Sequence, residues 1–204
     1  SLEQNIPAID FDLIITPTNH VSEDHDVVHI SAFLSDDDYR SIEKKITRIK
    51  ARKKQANATG LTSFFNRSLF ETEKYFENQF DMIRYMAGRM VSLGFAEENY
   101  ISAVIDREEN ASTSFDNLLA MPHTIEANTT RNIGSIIINR HPMKWGPFDV
   151  QIIIMIGVGR DDSLEFKEIF SNVLDVFDNE DNVERILQCT SYDEFITVLN
   201  SLTY

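Results

Sequence analysis

The run Val150 to Val158, VQIIIMIGV, constrains this chain more than any other segment. It is almost wholly apolar, and a strand of that kind suits the centre of a sheet covered on both faces. Helices are therefore needed above and below it. The sequence offers them on both sides. Glu71 to Leu93 carries helical spacing at Phe76, Phe80, Ile83, Ala87 and Met90, with Gly94 placed to end it. Glu97 to Glu109 turns Tyr100, Ile101, Val104 and Ile105 inward. Ser163 is a candidate cap for a helix reaching Phe177, and Val183 to Cys189 is a shorter one. Ser191-Tyr192-Asp193-Glu194 is a capping box for a last helix with Phe195, Val198, Leu199 and Leu202 on its apolar face. Leu118 to Met121 and Ile133 to Asn139 read as further strands. The expectation for residues 63–204 is one α/β domain, a mixed β-sheet flanked by helices.

The N-terminal part reads differently. Phe11 to Ile15 and Val27 to Ile30 are short strands. Ser35 can cap a helix whose first turn holds Asp36, Asp37 and Asp38, where the helix dipole favours anions. Ile42, Ile46 and Ile49 form its apolar face, and the basic run Lys50 to Lys54 is expected at its C-terminal end. Residues 1–54 are thus half of an α/β unit, too small to bury a core alone. Gln55 to Thr62, QANATGLT, reads as a linker. The chain opens Ser1-Leu2 without a methionine, so a piece of a longer polypeptide is expected.

The net charge of −14 argues against a nucleic-acid clamp, which needs a basic footprint. No apolar run approaches a membrane span. The single cysteine, Cys189, excludes an internal disulfide and points to a reducing, cytoplasmic setting, with the thiol packed as a small hydrophobe.

The chemistry-bearing stretch is Ala120-Met121-Pro122-His123, with Arg107-Glu108-Glu109 upstream. Proline fixes its own φ and pushes Met121 toward extended backbone, so the imidazole is presented from a stiff segment. A rigid neutral imidazole with a guanidinium in reach is what a phosphoryl acceptor needs. The competing reading for His123 is a structural ring at a strand end, and for Arg107 a solvated residue favoured by the helix C-terminus. Glu108 and Glu109 read as surface charges, though either could orient an imidazole. His141, before Pro142, is a second ring near the site or a loop histidine, and the loop is favoured. His20, His25 and His29 lie in an acidic, solvated segment, and His25 with Asp24 and Asp26 does not make a metal set. No Gly-rich phosphate loop, His-Glu-x-x-His or Gly-x-Ser-x-Gly motif occurs.

The stretch Tyr100 to His123, YISAVIDREENASTSFDNLLAMPH, resembles the signature of the mannitol/fructose-type (type 2) enzyme IIA (EIIA) domain of the bacterial sugar phosphotransferase system. That pattern is a helix ending in Arg-Glu, a short loop and an apolar strand ending in Pro-His. Ile133 to Trp145, Val150 to Val158 and the helix after Ser191 continue the likeness. It implies that His123 is the phosphoacceptor, with Arg107 beside the phosphate and no cofactor or metal. The donor would be the histidine phosphocarrier HPr or an enzyme IIB (EIIB). The first segment resembles the C-terminal half of an EIIB domain, without the cysteine such domains use. An incomplete EIIB-like half followed by an EIIA-like domain resembles the C-terminus of sugar-operon regulators. Such regulators carry helix-turn-helix and paired regulation domains upstream, and Trp145 resembles that branch. The resemblance therefore implies a sensory module of a transcriptional regulator, with a transport EIIA or an unphosphorylated binding module as alternatives. Two departures stand out. Leu118 and Thr124 occupy a region where the family favours glycine, and Ser163-Leu164-Glu165 stands where many members have a second histidine.

Overall fold

A computed structural model describes residues 11–202, apart from 20, 23, 24, 125, 161 and 162 and the side chains of 54–59 and 163–165. The chain divides into two compact units, one ending at Gln55 and the other beginning at Ala56.

In the first unit, β1 (Leu13–Thr16) and β2 (Asp26–His29) pair in parallel, Leu13 opposite Asp26 and Thr16 opposite His29. Helix α1 (Asp36–Phe64) follows. Its start is built as the sequence leads one to expect. Ser35 Oγ accepts from the Asp38 amide at 3.2 Å, and Asp38 Oδ2 accepts from the Ser35 amide at 2.9 Å. The Ser35 hydroxyl also donates to Asp38 Oδ2 at 2.7 Å, and this bond, with those from the Ser35 amide and from Ser31, holds the Asp38 carboxyl down at about 2. Asp26 on β2 bonds Lys45 at 2.7 Å and Arg52 at 2.9 Å, which ties this strand to the helix. The helix does not stop at the basic run. It continues through residues 55–62, so the stretch read as a linker is helical. Leu61 and Phe64 explain this, because both are buried in the core of the second unit.

The second unit is a four-stranded sheet ordered β3-β5-β6-β4. The strands are β3 (Phe65–Thr72), β4 (Leu119–Ala120), β5 (Ile133–Trp145) and β6 (Phe148–Gly157). β5 and β6 are antiparallel and central, while β3 joins β5 and β4 joins β6 in parallel. The apolar run is thus an inner strand. Ile152, Ile154 and Ile156 face one core layer, and Val150, Ile153 and Met155 face the other. The second layer is closed by α2 (Gln79–Ser92) and α3 (Tyr100–Asn110). The first is closed by α4 (Ser163–Phe177), α5 (Glu180–Leu187) and α6 (Tyr192–Leu202).

Three details differ from the sequence reading. Residues 65–72 form a strand, and the helix expected from Glu71 begins at Gln79, where Asn78 Oδ1 accepts from the Asp81 amide at 3.0 Å. β5 extends past Asn139 to Trp145 through a register shift between Ile138 and Met143, so His141 is in a strand and not a loop. The box at Ser191 forms one residue displaced. Glu194 reaches back to the Thr190 amide at 2.8 Å, and Ser191 Oγ accepts from the Glu194 amide at 3.3 Å.

Candidate functional site

Leu119 and Ala120 pair in parallel with Ile152 and Ile153, and this pairing aims the following residues along the sheet edge. The approach is strained. Leu118 has φ of +65°, a left-handed conformation that L side chains disfavour. In that conformation its carbonyl accepts from the Gln151 amide at 2.8 Å and the Ile152 amide at 3.0 Å. This is the region in which the resemblance leads one to expect glycine.

Met121-Pro122-His123 is then held on two sides. The Met121 amide donates to the Thr113 carbonyl at 3.0 Å, and the Ile156 amide donates to the Pro122 carbonyl at 3.0 Å. His123 itself bridges to Ile156. Its Nδ1 lies 2.8 Å from the Met121 carbonyl oxygen. A carbonyl only accepts, so Nδ1 carries the proton and Nε2 of the neutral ring carries the free lone pair. The ring is half-buried, with the edge of Phe170 at 6.3 Å between centroids. Burial holds its pKa below the ordinary histidine value. The bond to Met121 opposes that shift, the Arg107 charge adds to it, and the Glu108 charge opposes it.

Arg107 is in the last turn of α3 and donates from Nη1 to the Ala111 carbonyl at 2.8 Å. It lines a cleft of about 650 Å³ with Ser102, Asp106, Thr124, Glu126 and Asn128. Thr124, the neighbour of His123 in the chain, lines this cleft, and the Arg107 charge is felt at the His123 ring. Asn128 is 3% exposed, and its Oδ1 has no hydrogen-bond partner among the described residues.

Glu108 corrects the sequence reading, while Glu109 is exposed as expected. Glu108 is only 3% exposed. Its carboxylate accepts from Trp145 Nε1 at 2.8 Å, from the Thr113 amide at 3.1 Å and from Thr113 Oγ1 at 2.6 Å. Thr113 and Trp145 were not singled out for this role, nor was Asn128. The available signal was spacing, since Glu108 continues the buried stripe of Tyr100 and Val104 at steps of four.

The remaining candidates lie elsewhere. Gly134 of β5 pairs with Ile156, the residue bridged to His123, and His141 lies seven residues further along that strand. At the rise of a strand this is roughly 20 Å away. The His141 amide is bonded by the Tyr75 hydroxyl oxygen at 3.1 Å. His25 stacks on Phe11 at 4.3 Å, and His29 Nδ1 lies 2.9 Å from the Thr18 carbonyl. Among the described residues no group of His, Cys, Asp and Glu could hold a metal ion. His20, Asp24 and the Ser163 side chain lie outside the described residues. Cys189 is free and buried, and burial pushes its thiol pKa up. No helix among the described residues is long and apolar enough to cross a membrane.

A mixed four-stranded sheet with helices on both faces and a Pro-His at the end of an edge strand is the arrangement of an EIIA-like fold. The complex of enzyme IIA and phosphorylated enzyme IIB for mannitol from Escherichia coli contains a chain of this fold. Its TM-score is 0.59 at 19% identity, covering 67% of this chain and 99% of that one. Residues 63–202 match the family model "Phosphoenolpyruvate-dependent sugar phosphotransferase system, EIIA 2", and the chain belongs to that family. It is 32% identical over 117 residues to the mannitol-specific phosphotransferase enzyme IIA component of Halalkalibacterium halodurans, covering 55% of this chain and 78% of that protein. It is 21% identical over 174 residues to the probable licABCH operon regulator of Bacillus subtilis, covering 85% of this chain. The match spans about a quarter, 26%, of that regulator's length.

Proposed function

We propose that this chain is a phosphorylatable EIIA-like module of a sugar-operon transcriptional regulator. His123 is the acceptor, Arg107 holds the phosphoryl oxygens, and HPr or an EIIB is the donor. The observation that carries this reading is the protonation pattern of His123. With Nδ1–H given to the Met121 carbonyl at 2.8 Å, the nucleophilic pair sits on Nε2. In transfer from HPr the Nε2 pair forms a bond to phosphorus as the P–N bond of the donor phosphohistidine breaks. The bonding electrons of that bond return to the donor ring. Such a step asks mainly for positioning and for compensation of charge on the equatorial oxygens, which a guanidinium provides in bidentate fashion. The product adds roughly −1.5 to −2 charges at one point, enough to change which surfaces dock.

The regulatory role rests on the licABCH regulator likeness and on Ser163-Leu164-Glu165 standing where the family resemblance leads one to expect a second histidine. The unit ending at Gln55, with its parallel strand pair, fits the partial EIIB-like segment of such a chain, and residues 63–204 fit its EIIA-like domain. Upstream regulator domains would read the phosphorylation state in the cytoplasm. A transport EIIA is the second reading, favoured by the identity to the Halalkalibacterium component.

The test is incubation with phosphoenolpyruvate, enzyme I and HPr, read by intact mass. Addition of one PO3 to the chain, absent in His123→Ala and slowed in Arg107→Leu, is expected. A chain that gains no mass, or a His123→Ala variant that gains as much as wild type, refutes the acceptor role. Rapid onward transfer to a sugar through a permease EIIB would move the assignment from regulator to transporter.

A further inference from the structure

The structure assigns to Glu108 a role as the positioning residue of the His123 imidazole, acting through Thr113 and Met121; this rests on the acceptor reading of His123 given above. The links form one unbroken series. The Glu108 carboxylate takes both the amide and the hydroxyl of Thr113, at 3.1 and 2.6 Å. The Thr113 carbonyl takes the Met121 amide at 3.0 Å. The Met121 carbonyl takes Nδ1–H of His123 at 2.8 Å. Glu108, Thr113 and Met121 are 3%, 5% and 1% exposed, so water does not compete for these bonds.

Glu108 is suited to the anchoring end. A buried carboxylate is retained where donors converge on it, and here Trp145 Nε1 supplies a third at 2.8 Å. Among the described residues no cation bonds the Glu108 carboxylate, so its negative charge is not cancelled by contact and reaches the imidazole. Attack by Nε2 on phosphorus places positive charge on a ring that keeps its Nδ1 proton. A fixed acceptor on Nδ1 and an anion behind it both favour that charge. Thr113 sits in the loop after α3, and Ser114 bridges to Ala120 of β4. Fixing Thr113 therefore fixes the strand that delivers the histidine.

The experiment uses the whole chain and the Glu108→Gln and Thr113→Val variants. Glutamine keeps one acceptor and the shape but loses the charge, and valine keeps the backbone bond to Glu108 but loses the hydroxyl. Two readouts are taken on variants whose circular dichroism matches wild type. One is the tautomer of His123 from two-bond 15N–1H correlations, and the other is the rate of phosphoryl uptake from phospho-HPr. Wild type is expected to show the neutral ring protonated at Nδ1. Both variants should gain population of the Nε2–H tautomer, with uptake falling roughly tenfold in Thr113→Val and up to about a hundredfold in Glu108→Gln. A folded variant pair with wild-type tautomer and wild-type rate overturns the positioning role. If wild type takes no phosphate, the acceptor reading fails, while the tautomer measurement still decides whether Glu108 sets the ring.

Discussion

Replacing Trp145 by phenylalanine isolates the bond that keeps Glu108 in place. Trp145 is fully buried, and its Nε1–H is one of three donors to the Glu108 carboxylate. A hydrogen bond to a charged group is worth about 1.5–3 kcal/mol net. The smaller ring leaves a gap in a packed layer, which adds about 1 kcal/mol. The expected loss is therefore about 2.5–4 kcal/mol, and at about 2–4 °C per kcal/mol the melting temperature should fall by roughly 5–15 °C. Trp145 is the chain's single tryptophan, so unfolding in urea is followed by circular dichroism rather than by fluorescence. A double-mutant cycle with Glu108→Leu separates packing from the bond. If the indole and carboxylate interact as the geometry states, the coupling energy is about 1–3 kcal/mol. A coupling indistinguishable from zero refutes the argument, because the cost of Trp145→Phe would then be cavity alone.

Two further outcomes follow from named positions. Burial holds the folded-state pKa of His123 below 6.5, so between that value and 6.5 the unfolded chain binds more protons. The stability linked to this ring is present in full above pH 6.5 and is lost as pH falls through the folded value. Phosphoryl uptake should decline over the same window, and an NMR titration of His123 with a midpoint at or above 6.5 would contradict both. At Gly159 an added Cβ would lie 2.8 Å from the Arg131 Cα and 3.0 Å from the Asn132 amide nitrogen, and backbone cannot step aside as a flexible side chain can. Gly159→Ala should cost about 1–3 kcal/mol in denaturant unfolding, and an unchanged midpoint would show that the close approach is absent.

What could be read from the sequence was local, and what could not was set by partners far along the chain. The apolar run at Val150 needs no neighbour to be recognised, and Pro122-His123 declares its own stiffness. β3 was missed because a register shift between Phe65 and Phe70 breaks its alternation. It leaves Phe65 and Leu69 buried four residues apart, a spacing that reads as helix. Residues 55–62 have the composition of a connection, yet Leu61 and Phe64 are anchored in a core assembled mainly from residues beyond 119. His141 looked like a loop residue because Pro142 follows it. The strand tolerates that proline where its register shifts, and the buried Asn139 side chain there takes over pairing by bonding both the amide and the carbonyl of Lys74, at 2.8 and 2.7 Å. Glu108 is the sharpest case. Between Arg107 and Glu109 it has the look of a solvated charge, and only its helical phase hints otherwise. Its burial depends on an indole 37 positions later and on a threonine whose carbonyl holds the Met121 amide. A polar side chain is buried when its donors are delivered to it, and delivery is a property of the assembled sheet. The same reasoning makes the geometry of the proposed acceptor more than a matter of Pro-His: the dipeptide supplies stiffness, while the proposed role of Glu108 is to set the direction in which Nε2 points.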